Sequence, residues 1–312
     1  MKILVTGCAG FIGSHVSEAL LKRGDTVIGV DNLNGYYSVH IKLGNIDILR
    51  KYPNFSLRVE DIRDTEAISE EKPDRVIHLA SMAGVRCSLE NPSLYEQVNI
   101  GGFIHILEEI RKNNVQHIVY ASSSSVYGLN KKVPFSESDP ITSCNSPYAC
   151  SKMAMELYAR TYYQLYNISN IGLRFFTVYG PRGRPDMAPH KFMKAIMTRS
   201  KFQKFGDGTS SRDYTYIDDI VAGVVAALDN DKGVECNIYN LGNSKPITLN
   251  GFIGLCEKVS GEKAIYDQIE NQLGDVPHTY ADIEKAQADL GYAPRTSLED
   301  GLRKLHASLQ IC

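Results

Sequence analysis

Tyr148 and Lys152 stand one turn apart in 147–166, a stretch of helical periodicity that opens on a proline suited to a first helical position. On a helix they share a face, and an ammonium beside a phenol favours the phenolate, drawing the tyrosine down from its ordinary value of about 10. A phenolate so placed is a general base for an alcohol proton. Such a pair alone is common by chance. A second group of hydroxyls, Ser122, Ser123, Ser124 and Ser125, precedes Val126-Tyr127-Gly128. It reads either as a polar site or as a turn capped by serine side chains. Gly7, Gly10 and Gly13 form the third group, between the apolar run Lys2–Thr6 and the helical stretch Phe11–Lys22, with Phe11 and Ile12 in its first turn. Glycine at these points lets a backbone approach a pyrophosphate, whose charge the helix N-terminus stabilises.

These groups need a scaffold that brings them together, and strand and helix signals alternate through the first half of the chain. Thr26–Val30 reads as a second strand ending in Asp31, a carboxylate able to accept both ribose hydroxyls of an adenosine. Phe55–Val59, Arg75–Ala80, Gln116–Ala121 and Ile171–Phe176 read as further strands, and 92–112 has helical periodicity. Alternation of this kind implies an α/β fold with a doubly wound parallel sheet covered on both faces. Ligands of such sheets bind beyond the carboxyl ends of the strands, which directs attention to the residues after Ala80, Ala121 and Phe176. Past Gly180 the prolines Pro181, Pro185 and Pro189 crowd a segment expected to leave the sheet for a loop-rich cap. Cys236–Leu241 is expected to return to it. The expected division is a dinucleotide domain over 1–177 with a return segment near 213–244, and a smaller mixed α/β substrate domain over 178–212 and 245–312.

Composition narrows the class. The chain has 312 residues, 43% hydrophobic and 22% charged, as expected of an ordinary soluble protein, and a net charge of −2 argues for neither nucleic acid nor an anionic membrane. The first strand begins at Lys2, which leaves no room for a signal peptide, and no apolar run has the length of a membrane span. Seven scattered cysteines without metal-ligand spacing read as reduced thiols, so a cytoplasmic enzyme is expected.

Thr6-Gly7, Gly10-Phe11-Ile12-Gly13-Ser14-His15, His78-Leu79-Ala80, Ser123 with Val126-Tyr127-Gly128, Ser146-Pro147-Tyr148 with Ser151-Lys152, and Arg212-Asp213 with Ile217-Asp218-Asp219 follow one another in this order. Over essentially its whole length the chain resembles the extended short-chain dehydrogenase/reductase family, and within it the nucleotide-sugar epimerases. The resemblance implies a Rossmann fold, a permanently bound NAD, a UDP-sugar substrate and a homodimer built on 92–112 and 147–166. It makes Tyr148 the acid/base, lets Lys152 also hold the nicotinamide ribose, and sets Ser123 on the sugar O4 with Ser124 and Ser125 as understudies. Asp61 and Ile62 resemble the adenine edge, and Asn32, Leu79, Ala80, Ser81, Asn99, Ser122 and Phe175 further cofactor contacts. Asp31 is followed by Asn32 and Leu33, with no Arg or Lys beside it to meet a 2′-phosphate, which favours NAD over NADP.

Three features point to the reaction. Ser124-Ser125 stand where dehydratases of the family carry an acidic pair. Thr177 stands where glucose-type 4-epimerases usually have Asn. Gly183-Arg184-Pro185-Asp186-Met187-Ala188, followed by His190-Lys191-Phe192, resembles the uronic-acid 4-epimerases, in which the arginine grips the sugar carboxylate. A guanidinium binds a carboxylate bidentately, so Arg184 suits a C6 acid. The resemblance further assigns Arg212 to the diphosphate and Asp275 to the uridine ribose, with Gln272 where glucose-type enzymes tend to have Arg. Arg86, Ser88 and Lys191 are expected to face substrate. The expected reaction is 4-epimerisation of UDP-glucuronate. The alternatives are a UDP-glucose or UDP-N-acetylglucosamine 4-epimerase and, in another class, a non-catalytic dinucleotide sensor.

Overall fold

The structure is a computed structural model describing residues 1–230, 233–270 and 276–310. In the first half β1 (Lys2–Thr6), α1 (Phe11–Arg23), β2 (Thr26–Val30), α2 (Val39–Leu49), β3 (Phe55–Arg58), α3 (Ala67–Glu71) and β4 (Arg75–His78) lead to α4 (Val85–Glu90), α5 (Pro92–Tyr95) and α6 (Gly102–Lys112). Next come β5 (His117–Ser123), α7 (Pro147–Tyr166), β6 (Ser169–Phe175), β7 (Thr177–Tyr179), α8 (Ala188–Met197), β8 (Lys201–Phe205), β9 (Ser211–Tyr216), α9 (Ile217–Asp229) and β10 (Cys236–Leu241). The chain closes with β11 (Pro246–Thr248), α10 (Leu249–Ser260), β12 (Ile265–Ile269), β13 (His278–Thr279), α11 (Glu284–Leu290) and α12 (Leu298–Leu309).

Seven strands form one parallel sheet in the order β10-β6-β5-β4-β1-β2-β3. The fold is a Rossmann-type α/β sheet. Its central strands are buried on both faces, and alternate residues divide between two cores. Ile3, Val5, Ile77, Val119 and Ile171 face Val16 and Leu20 of α1 and Ile220 and Val224 of α9. Leu4, Ile28, Val76 and Ile118 face Phe103, Ile106 and Ile110 of α6 and Met155 of α7. Each such side chain contributes about 1.5–3 kcal/mol by leaving water. The chain runs outward from β1 through β3 and then resumes with β4 on the other side of β1. That reversal opens a crevice at the carboxyl ends of β1 and β4.

A four-stranded sheet centred on β9 takes β7, β11 and β13, and β8 pairs with β12. The segment after Gly180 is therefore less loop-like than its prolines imply. Pro189 occupies the first turn of α8, whose Phe192, Met193 and Ile196 are buried. A single helix over 92–112 is likewise replaced by α5, a wider π turn at Glu96–Gly101, and α6. Among the described residues no helix is long and apolar enough to cross a membrane.

Candidate active site

Beyond the crevice lies a cavity of about 400 Å³. Gly7 ends β1 at φ +72°, where a Cβ would stand 2.8 Å from the Ala80 nitrogen, and a Cβ on Gly13 would stand 2.0 Å from the Gly7 carbonyl oxygen. The turn closes only without side chains. Gly10 precedes α1 and offers no side-chain cap, so the first-turn N–H groups of α1 face an anion site. Asp31 accepts from the Ala9 nitrogen at 3.1 Å and the Leu33 nitrogen at 2.8 Å, which fixes its carboxylate at the end of β2. Thr6 Oγ1 and His78 Nδ1 lie 2.9 Å apart and tie β1 to β4, and the Ala80 N–H donates to the same hydroxyl at 3.2 Å. Burial, with the Lys152 charge adding to it, pushes His78 down to about 3, so the ring is neutral.

The other wall is α7. Ser146 caps its start by accepting from the Ala149 nitrogen at 3.1 Å, which fixes Tyr148 in the first turn. Tyr148 packs edge-on to Tyr95 with centroids 6.2 Å apart. Lys152 is 1% exposed, donates to the Ala121 carbonyl at 2.8 Å, and has its Nζ 6.0 Å from the Tyr148 ring centre. Burial draws its pKa down to about 7, with Glu156 opposing. Burial raises the Tyr148 phenol above its ordinary value, while a hydrogen bond with Ser123 and the Arg184 charge pull the other way. Behind them Glu156 accepts from Ser122 Oγ at 2.5 Å and from Arg174 Nε and Nη2 at 2.9 and 2.7 Å. This buried pair joins β5, α7 and β6 directly under the reactive groups.

The cavity collects most of the expected residues. Gly7, Gly10, Phe11, Ile12, Gly13, Asp31 and Asn32 line one end, with Ile62, Leu79, Ala80 and Ser81 beside them. Ser122 to Ser125, Tyr148, Lys152, Phe175, Thr177 and Arg184 line the other. Arg184 donates from Nε and Nη2 to Asp186 at 3.0 and 2.5 Å and from Nη2 to the Tyr36 hydroxyl at 3.3 Å.

Other expected residues lie elsewhere in the fold. Asp61 pairs with Arg63 and Asn32 outside the cavity wall, and Arg63 draws its carboxyl down to about 2. Asn99, turned inward by the π turn, holds Met82 through that residue's N–H and carbonyl at 2.7 and 3.0 Å, so it shapes the wall from behind. Arg86 lies over the Phe205 ring at 4.8 Å, and Ser88 donates to the Val85 carbonyl at 2.6 Å. Lys191 is exposed on α8, and Arg212 donates to the Ser211 and Pro277 carbonyls. Asp275 and Gln272 lie outside the described residues.

The fold also adds a neighbour to Asp31. No cation neighbours Asp31 in sequence, yet α2 brings Lys42 Nζ to 4.0 Å from its carboxylate and within 3.1 Å of Asn34 Oδ1. Asn34, Tyr36, Tyr37 and Lys42 all line the cavity and were not expected there. Part of that segment carries a legible signal. The Leu33, Asn34 and Tyr36 nitrogens each donate to the Asp or Asn side chain two residues earlier, a run of Asx turns written in Asp31, Asn32 and Asn34.

A family model described as GDP-mannose 4,6 dehydratase matches residues 4–305. The chain belongs to that family. Within it, the chain is one of the extended short-chain dehydrogenase/reductase nucleotide-sugar epimerases. It is 43% identical to Protein CapI of Staphylococcus aureus, over 97% of each chain. It is 45% identical to UDP-glucuronate 4-epimerase 4 of Arabidopsis thaliana, over 97% of this chain and 74% of that protein. Among solved structures, the UDP-glucuronic acid 4-epimerase of Bacillus cereus in complex with UDP-glucuronic acid and NAD superposes with a TM-score of 0.95 at 38% identity, covering 100% of this chain and 99% of that one. The family description names a dehydratase, but Ser124 and Ser125 stand here where an acidic pair is expected of the family's dehydratases.

Proposed function

We propose that this enzyme is an NAD-dependent isomerase that inverts C4 of UDP-glucuronate to give UDP-galacturonate. The observation that carries the reading is Arg184, a cation in the same cavity as Tyr148, Lys152 and Ser123. A neutral sugar has no need of it, whereas a C6 carboxylate does. The close relationship to UDP-glucuronate 4-epimerases supports the same substrate.

NAD fits the uncapped start of α1 and the Asp31 carboxylate, and when bound it supplies a hydride acceptor for C4 that is regenerated within each turnover. Tyr148 takes the O4 proton as the sugar is oxidised and returns it when the other epimer forms. Ser123 hydrogen-bonds O4, and Lys152 lies one helical turn from the phenol, where its protonated form favours the phenolate. The 4-keto acid has its carboxylate beta to a ketone and loses CO2 when that bond aligns with the carbonyl π system. Arg184, with Thr177 lining the same cavity, keeps the carboxylate out of that alignment. We assign the segments 178–212 and 245–312 to the nucleotide-sugar side and 1–177 with 213–244 to the dinucleotide side. We further propose a homodimer through α5–α6 and α7, whose Leu157 and Leu165 are exposed, and a cytoplasmic location, with which the free thiols of every described cysteine accord.

Incubation with UDP-glucuronate tests the reaction. The expected product has unchanged mass and inverted C4, and Tyr148→Phe should abolish its formation. Conversion of UDP-glucose alone would overturn the substrate, and loss of CO2 from the wild-type enzyme would overturn the reaction.

A further inference from the structure

We propose that Asp186 is an internal counter-ion for Arg184, a carboxylate that occupies the guanidinium until the carboxylate of the sugar displaces it. The proposal rests on the reading that the substrate is a uronic acid. Arg184 has a side chain only 18% exposed, and a cation that far from water must be compensated. Asp186 does this through the two-pronged arrangement on Nε and Nη2, the geometry a substrate carboxylate would also adopt.

Three features make Asp186 displaceable rather than an orienting residue. Its side chain is 43% exposed, so it reaches water by a change of rotamer. It sits in a tight turn in which the Met187 nitrogen donates to the Arg184 carbonyl at 3.2 Å, so the contact is local and its loss unravels nothing else. Among the described residues no side chain other than Arg184 hydrogen-bonds its carboxylate, so nothing anchors it from behind. Arg184 itself keeps a second support. Its guanidinium lies over the Tyr36 ring at 5.2 Å and donates to the Tyr36 hydroxyl, whose own proton points to Cys87 Sγ at 3.4 Å. The cation therefore stays in place when Asp186 leaves. Binding exchanges one carboxylate for another. Because both C4 epimers carry the acid, the returning Asp186 assists release of either.

The test compares binding of UDP-glucuronate and UDP-glucose by calorimetry in a Tyr148→Phe background, with and without Asp186→Asn. Removing the competing charge should tighten UDP-glucuronate by about tenfold and leave UDP-glucose unchanged. Weaker binding of the acid, or an equal change for both sugars, would overturn the proposal. A crystal structure of the Tyr148→Phe protein with UDP-glucuronate gives a second reading. Asp186 is expected to have turned to solvent, and an Asp186 still paired on Nε and Nη2 would refute it. A wild-type enzyme that left UDP-glucuronate unconverted would sink the proposed reaction. These binding measurements do not depend on turnover.

Discussion

Replacing Lys152 with Met should abolish turnover and make the dinucleotide-free protein more stable below neutral pH. The ammonium of Lys152 is 1% exposed, and burial holds its pKa at about 7 instead of the ordinary 10.5. A depression of that size corresponds to about 5 kcal/mol against the charged form in the folded state. Because the folded pKa is the lower one, the unfolded chain binds more protons between these values, and stability rises with pH across the window. The cost is fully present below about pH 7 and gone above about pH 10.5. Methionine removes it but leaves the Ala121 carbonyl without its donor, a loss of about 1–3 kcal/mol. The net gain near pH 6 is then about 2–4 kcal/mol, or roughly 3–6 °C in melting temperature for a chain of this size. Urea unfolding of both proteins across that range is the assay. The wild type should gain steadily on the variant as pH rises. A variant less stable than wild type at pH 6, or two parallel pH profiles, would refute the burial argument.

Arg184→Ala should lower kcat/KM for UDP-glucuronate by about 2–4 kcal/mol, on the order of 30- to 1000-fold, with little change for UDP-glucose, and decarboxylated pentose should appear by mass spectrometry. Glu156→Ala leaves the Arg174 guanidinium buried and uncompensated, so denaturant unfolding should show a loss of about 3–5 kcal/mol. A Glu156→Leu, Arg174→Met double variant should recover most of it. Lys42→Met should weaken dinucleotide retention by about 1 kcal/mol, roughly fivefold, read as NAD remaining per chain after gel filtration.

The cavity wall that gathers Gly7, Asp31, Ser123, Tyr148 and Lys152 was legible in the sequence because its parts are local patterns. The glycine turn, the acid ending β2, the serine run ending β5 and the Tyr148–Lys152 pair each lie within one element or its end. The sheet then brings those ends together. Cys236–Leu241 likewise returns to the sheet beside β6, as expected. Side-chain direction was not legible. Arg86 and Ser88 follow β4 as expected, but the turns of α4 aim one at Phe205 and the other back at its own helix. Lys191 is exposed beside the buried Phe192, since neighbouring helical residues face different ways. Lys42 shows the converse. No local pattern marks it, because only the packing of α2 against α1 brings it to Asp31. The π turn at 96–101 places Asn99 against Met82, a tertiary contact invisible to periodicity.

Whether a hydride leaves C4 and returns to the same carbon is read directly with UDP-glucuronate deuterated at C4 in ordinary water. UDP-galacturonate that retains the deuterium at C4 is the expected product. Product carrying solvent hydrogen at C4 would contradict it.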